Sequence, residues 1–217
     1  MLFNLNPSTL IARVIVLLTA FSVHEFAHAW TANFFGDDTP RLNGRLTLNP
    51  MAHLDIMGSL MLLVAGFGWA KPVPVNAYAL RRRSSSALMW VSLAGPLSNL
   101  IMAVLAAIPF RLGLVSVQQA FSSVNSILPT LSQLLLEFIS INLLLMLFNL
   151  IPLAPLDGDK IADYFFPPPW ARALERIRPY GPMLLLLLVF VPPILGFDVI
   201  GRIITPPMTF LTRLLIG

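Results

Sequence analysis

The sequence FSVHEFAHAW, residues 21–30, places two histidines and a glutamate inside a strongly apolar stretch. The chain has three histidines in total, and two of them lie four residues apart here. Residues i and i+4 share one face of a helix, so His24 and His28 can direct imidazole nitrogens at a single metal ion. Ionisable groups are costly at membrane depth, and their presence indicates a functional site.

The composition is that of an integral membrane protein. Hydrophobic residues make up 57% of the chain and charged residues 11%, against about 45–50% and about 25% in soluble domains. The net charge of +4 is spread over small loop clusters. This pattern favours contact with the lipid bilayer and does not fit a nucleic-acid partner. Because the chain has no cysteine, a metal must be held by nitrogen and oxygen ligands.

Hydropathy predicts an all-α membrane protein, a polytopic helical bundle. The four strong spans are Pro7–Phe34, Ser86–Phe110, Thr130–Ile151 and Pro182–Ile200. Gly58–Ala70 is too short to cross a bilayer and is expected to be re-entrant or extended, whereas Ile203–Ile216 is expected to be a short C-terminal helix. A small β/loop element, in which Arg41–Pro50 could form an edge strand, is expected between spans one and two.

We expect one membrane-embedded domain over residues 1–217, with a catalytic core at about 7–160 and C-terminal helices at 180–217. Basic residues predict its orientation. Lys71 and Arg81–Arg83 precede span two, several arginines follow span three, and the loop at 111–129 has one basic residue. The positive-inside rule therefore places residues 71–85 and 155–180 in the cytoplasm.

The motif H-E-x-x-H at residues 24–28 is typical of zinc peptidases. Glu25 lies beside the first histidine and can act as a general base toward the attacking water. A catalytic zinc usually has three protein ligands. The candidates for the third ligand are His53, Asp37, Asp38, Asp55, Asp157, Asp159 and Glu175.

Asp157 is the favoured third ligand. It follows span three in NLIPLAPLDGDKI, where two prolines end the helix and Gly158 permits a tight turn. The charge rule puts Asp157 near the cytoplasmic face, and it can meet His24 and His28 only if span one also ends there. That arrangement puts the N-terminus outside and requires Gly58–Ala70 to enter and leave on one side.

HEFAH in a first long helix, with NLIPLAPLDG after a later one, resembles the site-2 protease family of intramembrane zinc metalloproteases. GRLTLNPMAHLDIMGS, GWAKPVPVN and AGPLSN resemble its short prokaryotic members without a PDZ domain. The resemblance implies one Zn²⁺ per chain, held by His24, His28 and Asp157, with Glu25 as catalytic base. It also implies that the Asn149 amide donates to the developing oxyanion, and that the chain cleaves single-span membrane proteins from a site near the cytoplasmic face of a prokaryotic cell membrane.

Other polar residues leave alternatives open. Asn99 could contact the site or the substrate, or bond another helix, and His53 could line the mouth of the site or belong to a turn. Arg13 and Glu137 could pair across the bundle, or Arg13 could extend to the interface. The alternative function is a non-proteolytic membrane protein that binds or transports a divalent metal, which would have no need of Glu25.

Overall fold

Helices make up most of the described residues. The computed structural model describes residues 6–58, 61, 68–121, 127–194 and 196–217. Its α-helices are α1 (Pro7–Phe34), α2 (Thr39–Leu42), α3 (Pro50–His53), α4 (Ala77–Arg83), α5 (Ala87–Arg111), α6 (Val117–Phe121), α7 (Leu131–Asn149), α8 (Asp157–Phe165), α9 (Pro168–Ile177), α10 (Gly181–Ile194) and α11 (Val199–Ile216). In the described ranges, β pairing is limited to one isolated bridge between Leu54 and Ala70. The predicted all-α fold class is confirmed.

Polar residues start the long helices. The Asn6 side chain accepts a hydrogen bond from the Ser8 amide at the beginning of α1, where Pro7 occupies the first turn. The Thr130 hydroxyl accepts from the Gln133 amide at the beginning of α7. Such caps satisfy amides that have no partner within the helix and contribute about 1 kcal/mol each.

Helices α1, α5 and α7 form the centre of the bundle. The Gln133 side-chain Nε2 atom donates to the Thr9 hydroxyl at 2.9 Å, which joins the first turns of α7 and α1. One turn further along both helices, Arg13 contacts Glu137, so the two helices run in the same direction. The core between α5 and α7 contains Ala103, Ala106, Ala107, Phe110, Ile139, Leu143 and Met146. The three alanines allow close approach of the helices, which is how helices pack in lipid without a hydrophobic driving force between them.

Within the described residues, four helices are long and apolar enough to cross a membrane: α1, α5, α7 and α11. The predicted number of spans is confirmed, but the fourth span differs from the expected segment Pro182–Ile200. Helix α10 has 14 residues and is about 21 Å long at 1.5 Å per residue, whereas the hydrocarbon core is about 30 Å thick. The prolines near its end lack amide donors, and Gly196 then adopts a positive φ of 85°.

Helix α11 takes the place of the predicted short C-terminal helix. It has 18 residues and begins at Val199, before the predicted start at Ile203. Asp198 caps its first turn by accepting from the Gly201 amide at 2.7 Å. At its other end, the Arg111 guanidinium donates to the carbonyls of Leu214 and Leu215. These bonds satisfy carbonyls that have no partner within the helix and attach α11 to the end of α5.

Two expectations concern the segment between α1 and α5. Of the predicted re-entrant segment Gly58–Ala70, residues 59–60 and 62–67 lie outside the described part of the chain. The edge strand considered for Arg41–Pro50 is not formed. This stretch starts in α2, turns at Gly44 with a φ of +67° and leads into α3. The Asn-Gly turn chemistry decided its conformation.

The ion pair considered for Arg13 and Glu137 is confirmed. The Arg13 Nε atom donates to both carboxylate oxygens of Glu137, at 3.2 and 3.4 Å. The Arg13 side chain is 39% exposed and the Glu137 side chain 19% exposed. The pair therefore joins α1 and α7 in a partly screened setting, where ion pairs are worth at most about 1 kcal/mol.

Replacing either partner alone should destabilise the bundle, because the remaining charge lies among apolar helices. We expect Arg13→Leu or Glu137→Leu to lower Tm in detergent by about 3 °C, which corresponds to about 1 kcal/mol in a chain of this size. The double variant should recover much of that loss. Additive losses in the double variant would show that the two side chains are not energetically coupled.

Candidate metal centre

Two imidazoles on one face of α1 form the first part of the centre. His24 and His28 are both buried, and their Nε2 atoms lie 3.0 Å apart. Their rings meet edge to face, with centroids 4.6 Å apart. The spacing of four residues thus brings two nitrogen ligands to one point inside the bundle, as predicted.

Asp157, the first residue of α8, completes the group. Its Oδ2 atom lies 3.2 Å from His24 Nε2 and 3.3 Å from His28 Nε2. The three ligand atoms lie within 4.8 Å of one another. No other described histidine, aspartate or glutamate belongs to such a group.

The loop before Asp157 returns tightly against the end of α7. At Gly158, a Cβ atom would lie 2.3 Å from the Ile151 carbonyl oxygen and 2.5 Å from the Leu150 carbonyl oxygen. Only glycine permits this close approach of two backbone segments. The glycine identified in the sequence therefore allows Asp157 to point back into the bundle.

Both histidines are oriented through their other ring nitrogen. His24 Nδ1 lies 2.6 Å from Asn99 Oδ1, and His28 Nδ1 lies 2.7 Å from the Val91 carbonyl oxygen. With a proton on each Nδ1, the Nε2 lone pairs face Asp157 and each other. Hydrogen bonds of this kind fix the tautomer and ring orientation of histidines that bind metals.

A stripe of α5 packs directly on the two imidazoles. At Gly95, a Cβ atom would lie 2.4 Å from His28 Nε2 and 2.6 Å from His24 Nε2. Val91, Gly95 and Asn99 are spaced by four residues and therefore lie on one face, one residue per turn. Along this face, Val91 provides a carbonyl acceptor, Gly95 leaves room for the two imidazole rings, and Asn99 provides an amide oxygen acceptor.

The group fits a zinc ion. Ligand atoms about 2.0–2.1 Å from a tetrahedral zinc lie about 3.3 Å apart, and the three observed separations are 3.0, 3.2 and 3.3 Å. Asp157 Oδ2 is buried with no hydrogen-bond partner among the described atoms. Two neutral imidazole nitrogens and a carboxylate oxygen are a donor set that zinc binds in peptidases.

The predicted catalytic residues have hydrogen-bond partners of their own. Glu25 is buried, and its Oε2 atom accepts from the Val73 amide at 3.1 Å. Asn149 ends α7, and its Nδ2 atom donates to the Leu145 carbonyl oxygen of the same helix at 3.0 Å. The roles of Glu25 as base and of Asn149 as oxyanion donor stay predictions.

Asn99 and His53, the predicted substrate contacts, have different surroundings. Asn99 is fully buried and bonds His24 and, through Nδ2, Asn142 Oδ1 at 2.8 Å. It thus contacts the site and also joins two helices. His53 ends α3, and its Nε2 atom lies 2.8 Å from the Thr47 carbonyl oxygen, as expected for a turn. A direct contact of either residue with substrate stays a prediction.

Sequence reasoning missed three contributors to the site. The Val91 carbonyl is a backbone atom and has no sequence signal. Gly95 and Asn142 did carry one, since a glycine within a helix is unfavourable without a packing reason. An amide within an apolar span likewise needs a hydrogen-bond partner.

Fold and site together define an integral membrane protein in which two histidines and an aspartate form a group between the helices that could hold a metal ion. The sequence matches the model of Peptidase family M50 over residues 12–189, and the chain belongs to this family. The predicted site-2 protease family is thereby confirmed.

Several relatives of the chain are named as zinc metalloproteases. The chain is 42% identical over 181 residues to "Putative zinc metalloprotease YwhC" of Bacillus subtilis, covering 83% of this chain and 80% of YwhC. It is 32% identical over 181 residues to "Putative zinc metalloprotease Rip2" of Mycolicibacterium smegmatis, covering 81% of this chain and 65% of Rip2. The Rip2 protein of Mycobacterium tuberculosis H37Rv is 31% identical over 186 residues, 83% of this chain and 67% of that protein. No solved structure matches the chain.

We expect Gly95→Ala to impair zinc binding. Alanine normally stabilises a helix relative to glycine, but here its Cβ would displace the two imidazoles. Zinc retention, measured by metal analysis under chelator competition, should fall at least about tenfold. The control is Leu97→Ala, on an exposed part of the same helix. Equal zinc retention in Gly95→Ala and Leu97→Ala would contradict this account of Gly95.

Proposed function

We propose that the chain is an intramembrane zinc endopeptidase that hydrolyses peptide bonds of single-span membrane proteins. The observation that carries this proposal is the convergence of His24, His28 and Asp157 inside a bundle of spanning helices, with Glu25 beside them. His24 lies about 15 Å from the end of α1 at 1.5 Å per residue. Cleavage would therefore take place below the membrane surface.

The residues divide the chemistry between them. His24, His28 and Asp157 would hold the zinc, which when bound polarises the scissile carbonyl and promotes ionisation of water. Glu25 takes one proton from the attacking water and delivers it to the nitrogen of the leaving amine as the C–N bond breaks. The Asn149 amide, after leaving the Leu145 carbonyl, donates to the developing oxyanion.

The substrate must present extended backbone, because a peptide bond inside a helix is shielded by its own hydrogen bonds. Water must also reach the ligands, so the proposed site opens to the aqueous phase at the end of α1. The basic residues of α4 and α9 support a cytoplasmic position for that end. The bacterial origin of the relatives supports a prokaryotic cell membrane.

The test is cleavage by the purified chain, reconstituted with a panel of single-span proteins. Glu25→Gln should lower the cleavage rate at least about hundredfold, because it removes the general base, while zinc content stays at one per chain. Asp157→Ala should lose zinc. The matched control is Glu175→Gln, the same change on exposed helix α9, which should cut at the normal rate.

Other outcomes would refute the protease function. If the wild type never cuts, or if Glu25→Gln cuts at the wild-type rate, the protein is not a peptidase of this mechanism. Zinc-dependent ion movement across the liposomes, unaffected by Glu25→Gln, would instead favour the metal-transport alternative.

The orientation is testable because the chain has no cysteine that would give background labelling. We expect a membrane-impermeant maleimide to label Leu114→Cys in intact cells and to label Arg172→Cys only after permeabilisation. Both positions are exposed on the protein. The opposite labelling pattern would place the proposed active site near the outer face.

A further inference from the structure

Two buried asparagines connect His24 to the backbone of α7. His24 Nδ1 lies 2.6 Å from Asn99 Oδ1, and Asn99 Nδ2 donates to Asn142 Oδ1 at 2.8 Å. Asn142 Nδ2 donates in turn to the Phe138 carbonyl oxygen at 2.8 Å. Both asparagines have 0% exposure, so water cannot substitute for any member of this chain of hydrogen bonds.

The last acceptor gives the chain of bonds its direction. A backbone carbonyl oxygen can only accept, so the Asn142 side chain must present its NH₂ group to Phe138. Its Oδ1 atom then faces Asn99 and requires a donor there. Asn99 therefore presents its own oxygen to His24, and His24 must carry its proton on Nδ1.

The reverse arrangement is excluded by the same atoms. If His24 carried its proton on Nε2 only, Nδ1 would need a donor, and the Asn99 amide would have to turn over. Asn142 would then turn over as well and place its oxygen against the Phe138 carbonyl oxygen, two acceptors without a proton between them. Unpaired polar groups of this kind are costly inside a membrane bundle.

We propose that Asn142 is a positioning residue that fixes the Nδ1–H tautomer of His24 and so keeps the Nε2 lone pair available for zinc. This inference rests on the proposed function only in taking His24 as a zinc ligand. His28 needs no such relay, since its Nδ1 atom bonds the Val91 carbonyl directly. The two ligands thus reach the same tautomer by different routes, and only that of His24 depends on Asn142.

The direct test is the tautomer itself, read by ¹⁵N NMR of the histidine-labelled full chain in detergent micelles. Asp157→Ala serves as the zinc-free background, so that no carboxylate attracts a proton to Nε2. Only a neutral imidazole has two tautomers, so the neutral form of each histidine is compared, at the same pH in every variant. The chain has three histidines, and replacing His28 and His53 singly by glutamine assigns the signals.

We expect His24 to be protonated on Nδ1 in that background and to shift toward the Nε2–H form when Asn142→Leu is added. His28 should keep its Nδ1 proton in both. Asn142→Asp should retain the Nδ1–H form of His24, because a protonated carboxyl donates its O–H to the Phe138 carbonyl and accepts from Asn99 with its other oxygen. Gln133→Leu is the matched control, since it also removes from α7 a side-chain amide that bonds another helix.

Zinc affinity, measured by chelator competition with Asp157 intact, gives the second readout. It should fall at least about tenfold in Asn142→Leu, as for other residues that orient metal ligands, and stay near the wild-type value in Asn142→Asp and Gln133→Leu. Because neither readout requires cleavage, a chain that cuts no substrate would refute the peptidase while leaving this inference intact.

Two results would overturn the proposal. One is a wild-type-like tautomer and zinc affinity in Asn142→Leu. The other requires no variant at Asn142: a His24 proton on Nε2 alone in the Asp157→Ala background would contradict the direction of the relay. Should Asn142→Leu fail to fold, this measurement and the Asn142→Asp variant still decide the question.

Discussion

The carboxylate of Asp157 lies 3.2 and 3.3 Å from two imidazole nitrogens of α1, and much of the architecture serves to bring it there. Helix α7 must run parallel to α1 so that both reach the same end of the bundle. The chain must then reverse within a few residues after Asn149, which Gly158 allows by packing against the Ile151 carbonyl. Helix α5 runs in the opposite direction between them and orients both imidazoles.

Polar contacts fix α1 against α7 at two levels. Near their first turns, Thr9 bonds Gln133 and Arg13 bonds Glu137. Near the site, His24 reaches Asn142 through Asn99. Lipid tails are as apolar as the helix surfaces, so apolar contact alone does not favour one pairing of helices over another. The hydrogen bonds and the small residues of the core supply that selectivity.

The sequence was sufficient for the parts of the protein that depend on local pattern. Hydropathy predicted α1, α5 and α7 to within a few residues, and the histidine spacing with the Asp-Gly turn predicted that His24, His28 and Asp157 come together. It failed for the fourth span, because hydropathy alone does not show how prolines and Gly196 end α10 or how Asp198 starts α11.

The surroundings of the ligands were beyond sequence reasoning for a different reason. The partner of His28 is a backbone carbonyl, which every residue possesses, and the partner of Asn99 depends on the rotation of α7 about its axis. Such contacts are set by how helices pack, and a single sequence gives periodicity but not the relative rotation of two helices. Asn99 could therefore be identified as a polar residue in need of a partner, but not matched with one.

Val91, Gly95 and Asn99 occupy successive turns of α5 and meet the two histidines together. Shifting the register of the α5 sequence by one residue would rotate this face by about 100° around the helix and remove all three contacts at once. The three contacts therefore form in one register of α5 and in neither of the registers next to it. A chain in which α5 is misplaced keeps its three proposed ligands but loses the contacts that orient them. Tight zinc retention would therefore also measure how many molecules have completed assembly in the membrane.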